Sequence, residues 1–215
     1  MSGGSEATRK RVIKPAGERR AELLDAAWDV FAERGVADAT VSDIAARAEV
    51  AKGSFYLHFS AKEQVVAALW ERYVAGYLRL AEDVLGDRTP QDDWIGVLTG
   101  LLDNLIDHSM EHADLHRIIY GSADAKALAL CEETNQQVIA LLAEAIQRGM
   151  DAGVLRPGSA EVFARVLYHG VHGALHDMIS GTVPYGKDEV VATVRNIAGR
   201  VLRPGPAAGR EQRRE

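Results

Sequence analysis

Apolar side chains recur three or four residues apart along almost the whole chain, which is the spacing that places them on one face of an α-helix. No convincing stretch shows the two-residue alternation of a half-buried strand between turn residues. The first strong helical segment covers residues 18–34, where Leu24, Val30 and Phe31 share a face, and it stops at Gly35. Glycine best accepts the left-handed conformation that follows a helix. The pattern therefore predicts an all-α fold.

Boundary signals divide the rest of the chain into eight further helices. Two short ones follow Thr40 and Ala51, and a long fourth helix begins at the capping-box pattern Ser60-Ala61-Lys62-Glu63 and ends at Gly86. The pattern weakens around residues 109–114, which predicts a break there. The later helices are expected at about residues 94–106, 115–120, 124–152, 159–180 and 187–202.

Composition indicates a globular protein with a substantial core. The chain has 215 residues, of which 47% are hydrophobic, and Cys131 is the single cysteine, so no disulfide forms within the chain. No apolar run reaches the roughly 20 residues of a membrane span, and the first thirty residues lack a signal-peptide core. We therefore expect a cytoplasmic protein that does not associate with membranes.

Charge is unevenly distributed. The formal net charge is −6, but residues 1–20 contain six basic and two acidic side chains, a local excess of 6 − 2 = +4. An arm of this kind, which includes Arg9, Lys10, Arg11 and Lys14, would suit the phosphates of a nucleic acid. The alternative is a solvated tail without a partner.

The segment after the first helix predicts a helix-turn-helix. Thr40-Val41-Ser42-Asp43 is a capping box with Asp in place of Glu, and a second short helix covers residues 52–58. Helices of seven or eight residues are marginal alone and need tertiary packing. In a helix-turn-helix, the first of two such helices crosses the DNA backbone and the second places its N-terminal residues in the major groove.

The second short helix has two faces. Phe55 and Phe59 are four residues apart and are expected to anchor it to the core. The other face and the preceding helix start supply the candidate DNA contacts. These are Thr40 and Ser42 at a helix N-terminus, Lys52, Gly53, Ser54, Tyr56 and His58 on the recognition helix, and Lys62 after it.

Residues 19–66 resemble the TetR-type repressor family. The resemblance rests on Phe31-Ala32-Glu33-Arg34-Gly35, Thr40-Val41-Ser42-Asp43-Ile44-Ala45, Ala48 to Phe59 and Ser60-Ala61-Lys62-Glu63. Glu49 departs from it, because the family usually has Gly at that point of the turn. The segment Met150-Asp151-Ala152-Gly153-Val154-Leu155-Arg156-Pro157 is similar to the family's linker between its seventh and eighth helices.

The resemblance implies a homodimer that binds a palindromic operator. In this homodimer, the last two helices of each subunit form a four-helix bundle. Gly170, Gly173 and Ala174 independently provide a small-residue surface on the predicted helix at residues 159–180, which allows close helix approach. Ordinary contacts within one chain are the alternative explanation for these small residues.

Six of the seven histidines fall into two sets at helical spacing: His108, His112 and His116, and His169, His172 and His176. With Asp107, Glu111 or Asp177 nearby, either set has the ligand types of a zinc site. The first set crosses the predicted break, and the second shares a helix with the predicted dimer surface. We therefore expect surface or internally hydrogen-bonded histidines, no metal site and no cofactor, with a metal-responsive regulator as an alternative.

A small-molecule pocket is expected among the C-terminal helices. An effector pocket of apolar lining with a few polar groups is predicted from Trp94, Leu98, Leu102, Tyr120, Asn135, Ile139, Tyr168 and His172, although plain core packing explains the same pattern. Nucleophile-elbow, P-loop and dinucleotide motifs are absent from the sequence, so no enzyme is expected.

Together these features predict four segments. They are a disordered basic arm (1–17), a helix-turn-helix domain (18–62), an effector-binding and dimerisation domain (63–203) and a disordered tail (204–215). The leading hypothesis is a homodimeric repressor that a small-molecule effector releases from its operator, and a ligand-independent DNA-binding protein is a further alternative.

Overall fold

The computed structural model describes residues 15–86, 88–121 and 125–203, and these residues form helices without strands. The basic arm at Arg9 to Lys14 and the predicted tail at 204–215 lie outside the described residues. The helices are α1 (Ala16–Asp38), α2 (Val41–Arg47), α3 (Lys52–Tyr56), α4 (Lys62–Leu85), α5 (Trp94–Glu111), α6 (Ala113–Tyr120), α7 (Ala125–Asp151), α8 (Ala160–Ile179) and α9 (Lys187–Val201). The all-α prediction is confirmed.

Helix α1 starts two residues earlier than predicted and continues past its predicted end. Gly35 interrupts it with a φ of 76° and a ψ of 163°, and a last short turn then reaches Asp38. The predicted helix end at Gly35 is therefore confirmed, because the regular helix does end at this glycine. Leu24, Val30 and Phe31 are buried against α2 and α4, as the periodicity predicted.

The turn between α2 and α3 is closed by backbone hydrogen bonds. The Val50 N–H donates to the Ala45 carbonyl at 2.9 Å and the Glu49 N–H to the Ala46 carbonyl at 3.1 Å, the pattern of a Schellman motif. Glu49 occupies its left-handed position with a φ of 53°, and no other non-glycine residue among those described has a positive φ. A side chain in this conformation costs about 1 to 2 kcal/mol.

The capping box predicted at the start of α4 does not form. Ala61 is the N-cap residue, with a φ of −157° and a ψ of 163°, and its side chain cannot accept a hydrogen bond. The Ser60 N–H instead donates to Oε1 of Gln64 at 2.9 Å. The helix therefore begins at Lys62, and Gln64 provides the reach-back contact that the sequence pattern assigned to Glu63.

The larger, C-terminal part of the molecule is built around α4 and α7. Helix α4 packs along α7, α7 along α8, and α9 covers α5. The predicted break between α5 and α6 is confirmed but narrower than expected, because α5 continues to Glu111 and the chain turns at His112 alone. No helix among the described residues is both long and apolar enough to cross a lipid bilayer.

Candidate functional site

The start of α2 has the predicted capping box. The Thr40 hydroxyl accepts from the Asp43 N–H at 3.2 Å, and Asp43 Oδ2 accepts from the Thr40 N–H at 3.0 Å. Asp43 also accepts from Arg34 at 3.0 Å. Hydrogen bonds from Thr40, followed by the charge of Arg34, hold the pKa of Asp43 below its usual value. The N-terminus of α2 is thus fixed in place beside the end of α1.

Helix α3 shows the two faces that the sequence predicted. Phe55 is fully buried and Phe59 is 3% exposed, and their ring centroids lie 5.7 Å apart. Arg20 lies over the Phe59 ring at 5.0 Å, which ties the end of this segment to α1. The helix itself ends at Tyr56, two residues earlier than predicted, because Phe59 reaches the core from the turn that follows.

The predicted DNA contacts on α3 lie outside the core. Lys52 and Gly53 are exposed, Tyr56 is 52% exposed, and Ser54 and His58 are partly buried. Leu57 is 82% exposed, the largest exposure among the big apolar side chains of the described residues, and was not predicted as a site residue. A signal was present, since Leu57 lies between the anchors Phe55 and Phe59 and therefore projects away from both.

Lys62 is engaged differently from the other candidates. Its ammonium group donates to the carbonyl oxygens of Val36, Ala37 and Ala39, so all three donors are directed at the end of α1. A cation here neutralises carbonyls that have no partner within the helix. The Lys62 side chain thus joins the start of α4 to the end of α1.

Buried and partly buried aromatic and polar side chains meet between α4, α6, α7 and α8. We call this group the aromatic–histidine cluster: Trp70, Tyr73, His116, Tyr120, Asn135, Tyr168 and His172. The Trp70 indole N–H donates to Asn135 Oδ1 at 2.7 Å, across the α4–α7 contact. His116 stacks on Tyr120 and His172 on Tyr168, and the two imidazole centroids lie 5.8 Å apart.

The proton positions in one part of the cluster follow from its hydrogen bonds. Ser109 donates to the Leu105 carbonyl at 2.7 Å, so the Ser109 oxygen must accept from the Tyr73 hydroxyl at 2.8 Å. The Tyr73 oxygen in turn accepts from Nε2–H of His116 at 3.1 Å. His116 Nδ1 therefore carries a lone pair, and it has no hydrogen-bond partner.

Two unpartnered nitrogens remain in this interior, His116 Nδ1 and His172 Nε2. Burial lowers the pKa of His116 to about 3, and the neighbouring His172 adds to the effect. Burial lowers the pKa of His172 to about 4, with a further contribution from His176. A buried polar atom without a partner is unusual and suggests a site for water or a ligand group.

The structure brings together half of the predicted effector-pocket residues. Tyr120, Asn135, Tyr168 and His172 all belong to the aromatic–histidine cluster, and the last three border an enclosed cavity of about 10 Å³ with Trp70 and Tyr73. That volume has room for one water molecule. Trp94, Leu98, Leu102 and Ile139 are buried core residues that line none of the cavities described in this structure.

Sequence reasoning missed Trp70, Tyr73 and His116 as members of this cluster. Trp70 and Tyr73 share the apolar face of the predicted fourth helix, and His116 belongs to the first histidine set. A usable signal was that two aromatic residues with polar atoms occur on one buried helical face, since such atoms need partners when buried. The partner positions, 36 to 65 residues away along the chain, could not be inferred from spacing.

Both histidine sets separate in the folded chain. From the first set, His116 enters the aromatic–histidine cluster, while His108 and His112 stay together beside Glu111. From the second set, His172 is in the same cluster, His176 is partly buried against Tyr120, and His169 is exposed. Neither predicted set of three therefore converges as a unit.

The fold and the exposed face of α3 define a helix-turn-helix transcription regulator. The sequence model for bacterial regulatory proteins of the tetR family matches residues 23–69. The transcriptional repressor KstR2 of Mycobacterium tuberculosis is 30% identical over 148 residues, which cover 68% of this chain and 74% of KstR2. The chain belongs to the tetR family.

Solved structures share the fold over most of the chain. A TetR-family regulator from Syntrophomonas wolfei superposes with a TM-score of 0.75 at 19% identity, covering 86% of this chain and 95% of that one. SmeT, the repressor of a multidrug efflux pump of Stenotrophomonas maltophilia, has a TM-score of 0.69 at 26% identity, with coverages of 86% and 91%. The fold is thus shared beyond the DNA-binding region.

The buried histidines predict that the protein loses stability in mild acid. His116 and His172 have folded pKa values of about 3 and 4, below the 6.5 of a free imidazole. Above pH 6.5 both histidines are neutral in the folded and the unfolded chain, and the free energy of unfolding is at its full value. As the pH falls below 6.5, the unfolded chain binds protons that the folded chain does not, and the free energy of unfolding decreases. We expect a loss of up to about 1.4 kcal/mol per pH unit for each histidine between pH 6 and 4.

Denaturant unfolding at several pH values measures this slope. His172→Phe keeps an aromatic ring beside Tyr168 and removes the unpartnered Nε2, so we expect a folded protein whose slope is smaller by up to about 1.4 kcal/mol per pH unit. His169→Gln, at an exposed position of the same helix, is the matched control and should keep it. A His172→Phe protein with the wild-type slope would refute the assignment.

Proposed function

We propose that the protein is a homodimeric repressor that binds a palindromic operator through α3 and is released by a small-molecule effector. The observation that carries the proposal is that one chain has both an exposed recognition helix and an exposed apolar face on α8 and α9. The proposed role is regulation and not catalysis.

The recognition surface combines the exposed residues of α3 with the fixed start of α2. Lys52 suits a phosphate or guanine contact, Ser54 and Tyr56 offer hydroxyls to phosphate oxygens, and Gly53 allows close approach of the backbone. Leu57 adds an apolar contact of the kind that thymine methyl groups receive. Thr40 and Ser42 would receive a phosphate at the N-terminus of α2. His58 and Lys62 complete the proposed set of DNA contacts, although the Lys62 ammonium group also donates to carbonyl oxygens at the end of α1.

Substitutions in α3 test this surface. We expect Lys52→Ala and Tyr56→Phe each to weaken operator binding, because both remove a polar group from an exposed position and leave the core intact. Phe55→Ala should instead lower the free energy of unfolding by about 3 to 5 kcal/mol, because Phe55 is fully buried. Operator fragments selected from genomic DNA provide the binding assay, and thermal unfolding provides the folding control. Unchanged affinity in both exposed variants would rule out α3 as the reading helix.

The proposed dimer interface is a groove of about 450 Å³ between α8 and α9. Val166 is 66% exposed and Ile197 48% exposed at its edge, although both are large apolar side chains. Added Cβ atoms at Gly170 and Gly173 would meet nothing within 4 Å, so the small-residue surface predicted from the sequence faces outward. Such a face is typical of a homodimer interface.

A charge placed on this face should separate the subunits. We expect Val166→Glu to weaken dimerisation at least about tenfold, because a carboxylate would lie unpaired in an apolar interface. Leu80→Glu on α4 is the matched control, since Leu80 is 44% exposed and outside the groove. Sedimentation equilibrium measures the dimer, and operator affinity should fall with it because two half-sites are needed. A monomeric wild-type protein at micromolar concentration, with and without DNA, would overturn the proposal.

The aromatic–histidine cluster is the proposed effector site. It combines aromatic walls with the amide of Asn135 and unpartnered nitrogens on His116 and His172, a lining suited to a flat, largely apolar molecule with one or two polar groups. Its cavity of about 10 Å³ must enlarge to accept such a molecule. SmeT, which shares the fold, has been solved in complex with triclosan.

Filling the cavity tests the effector site. In a panel of organic compounds, we expect those that raise the melting temperature of the wild type also to lower its operator affinity. Val138→Ile adds one methylene group to the cavity wall from α7 and not from α4, so it should weaken both effects while retaining operator binding. Compounds that act equally on the wild type and on Val138→Ile would place the effector site elsewhere.

A further inference from the structure

The C-terminal end of α5 holds three potential metal ligands outside the proposed effector site. One donor atom each of His108, Glu111 and His112 can be chosen so that all three lie within 4.8 Å of one another. The two histidines are four residues apart, with His108 in the last turn of α5 and His112 as the residue that ends this helix. Helical zinc motifs use the same spacing to direct two imidazoles at one ion. The carboxylate lies between them in the sequence and on the same turn.

Hydrogen bonds fix the tautomers of both imidazoles. His108 Nε2 is 2.9 Å from the Tyr73 carbonyl oxygen, and His112 Nδ1 is 2.8 Å from the His108 carbonyl oxygen. A carbonyl oxygen only accepts, so both of these ring nitrogens carry the proton. Each histidine therefore keeps a lone pair on its other nitrogen. Metal-bound histidines in proteins are oriented in the same way, by donating the remaining N–H to a carbonyl or carboxylate.

His108 is held rigidly while its two neighbours can adjust. Its ring stacks on Tyr73 with centroids 4.7 Å apart and lies against Gly76, where an added Cβ would be only 3.0 Å from the imidazole Cε1. Glu111 and His112 are exposed, so their side chains can rotate to bring their donors to the 2.0 to 2.2 Å that zinc requires. One fixed and two adjustable ligands form a partly preorganised site.

The local charge favours a cation. The carbonyl end of the 18-residue helix α5 lies here and carries a partial negative charge. Glu111 adds a full negative charge, whereas the nearby Asp107 already pairs with Lys187 at 2.5 Å. Arg72 and Arg79 line the same cleft as His108 and oppose a cation, and the Glu111 carboxylate offsets part of their charge.

His108 and His112 also line an open cleft of about 420 Å³ between α1, α4, α5 and α6. Water can therefore reach the coordination positions that the three side chains leave free. We infer that His108, Glu111 and His112 form a binding site for a divalent ion of the zinc type, with two nitrogen ligands and one oxygen ligand. The inference is independent of the effector site, because none of the three side chains belongs to the aromatic–histidine cluster.

Isothermal titration calorimetry of the untagged protein with Zn²⁺ tests the site. We expect saturable binding of one ion per chain, and Co²⁺ should give the visible absorption of a protein-bound ion at the same stoichiometry. His112→Ala should weaken Zn²⁺ binding about 100-fold and Glu111→Gln about tenfold, because each removes one of three ligands. Both positions are exposed, so the variants are expected to fold, and circular dichroism verifies this.

His58→Ala is the matched control, because His58 belongs to neither histidine set and should leave Zn²⁺ affinity unchanged. Gly76→Ala provides a second control of the geometry. Its methyl group would displace the His108 ring, so it should weaken Zn²⁺ binding without removing a ligand. Absence of stoichiometric binding to the wild type, or equal affinity in His112→Ala, would overturn the inference.

Discussion

Helix α4 is buried along most of its length by two different sets of neighbours, and the rest of the molecule depends on this constraint. Its first turns, with Val65, Val66 and Leu69, complete the core of the helix-turn-helix, and Lys62 clamps them to the end of α1. Farther along, Trp70 is bonded to α7 through Asn135. Because one rigid element belongs to both cores, the orientation of α3 follows from how α4 packs in the C-terminal part.

Burial of polar atoms explains why that packing is specific. The chain from His116 through Tyr73 and Ser109 to the Leu105 carbonyl joins α6, α4 and α5 with a donor and an acceptor at every step. A shift of α4 by one turn would leave several of these groups unsatisfied, at a cost of about 1 to 3 kcal/mol each. Apolar contacts alone would tolerate such a shift more easily, since they are not directional.

Features determined by neighbouring residues could be predicted from the sequence, and features determined by distant residues could not. The Thr40–Asp43 capping box and the two faces of α3 depend on residues within one turn, and both are present. The same local signal failed at Ser60, because the backbone there makes Ala61 the N-cap. Tyr120, Asn135, Tyr168 and His172 were predicted together from their amphipathic chemistry, and they lie together in the fold. Their partners Trp70, Tyr73 and His116 were not predicted with them, because nothing local distinguishes a polar aromatic residue in a network from one in a plain core.

The small interior cavity constrains how an effector would act under the proposed function. A space of about 10 Å³ excludes any organic molecule, so the conformation described here has almost no affinity for one in the aromatic–histidine cluster. A ligand there would have to bind a second conformation in which one of the helices that line the cavity, α4, α5, α7 or α8, has moved. It could shift the equilibrium only by its difference in affinity for the two conformations.

Since α4 cannot move without moving the helix-turn-helix core, enlarging the cavity by displacing α4 necessarily reorients α3. Displacing α5 would also disturb α6, which follows it directly after His112, and α6 packs against α1 of the helix-turn-helix. Only a movement confined to α7 and α8 would leave the DNA-binding surface in place, and α7 is also the helix that the Trp70–Asn135 bond ties to α4.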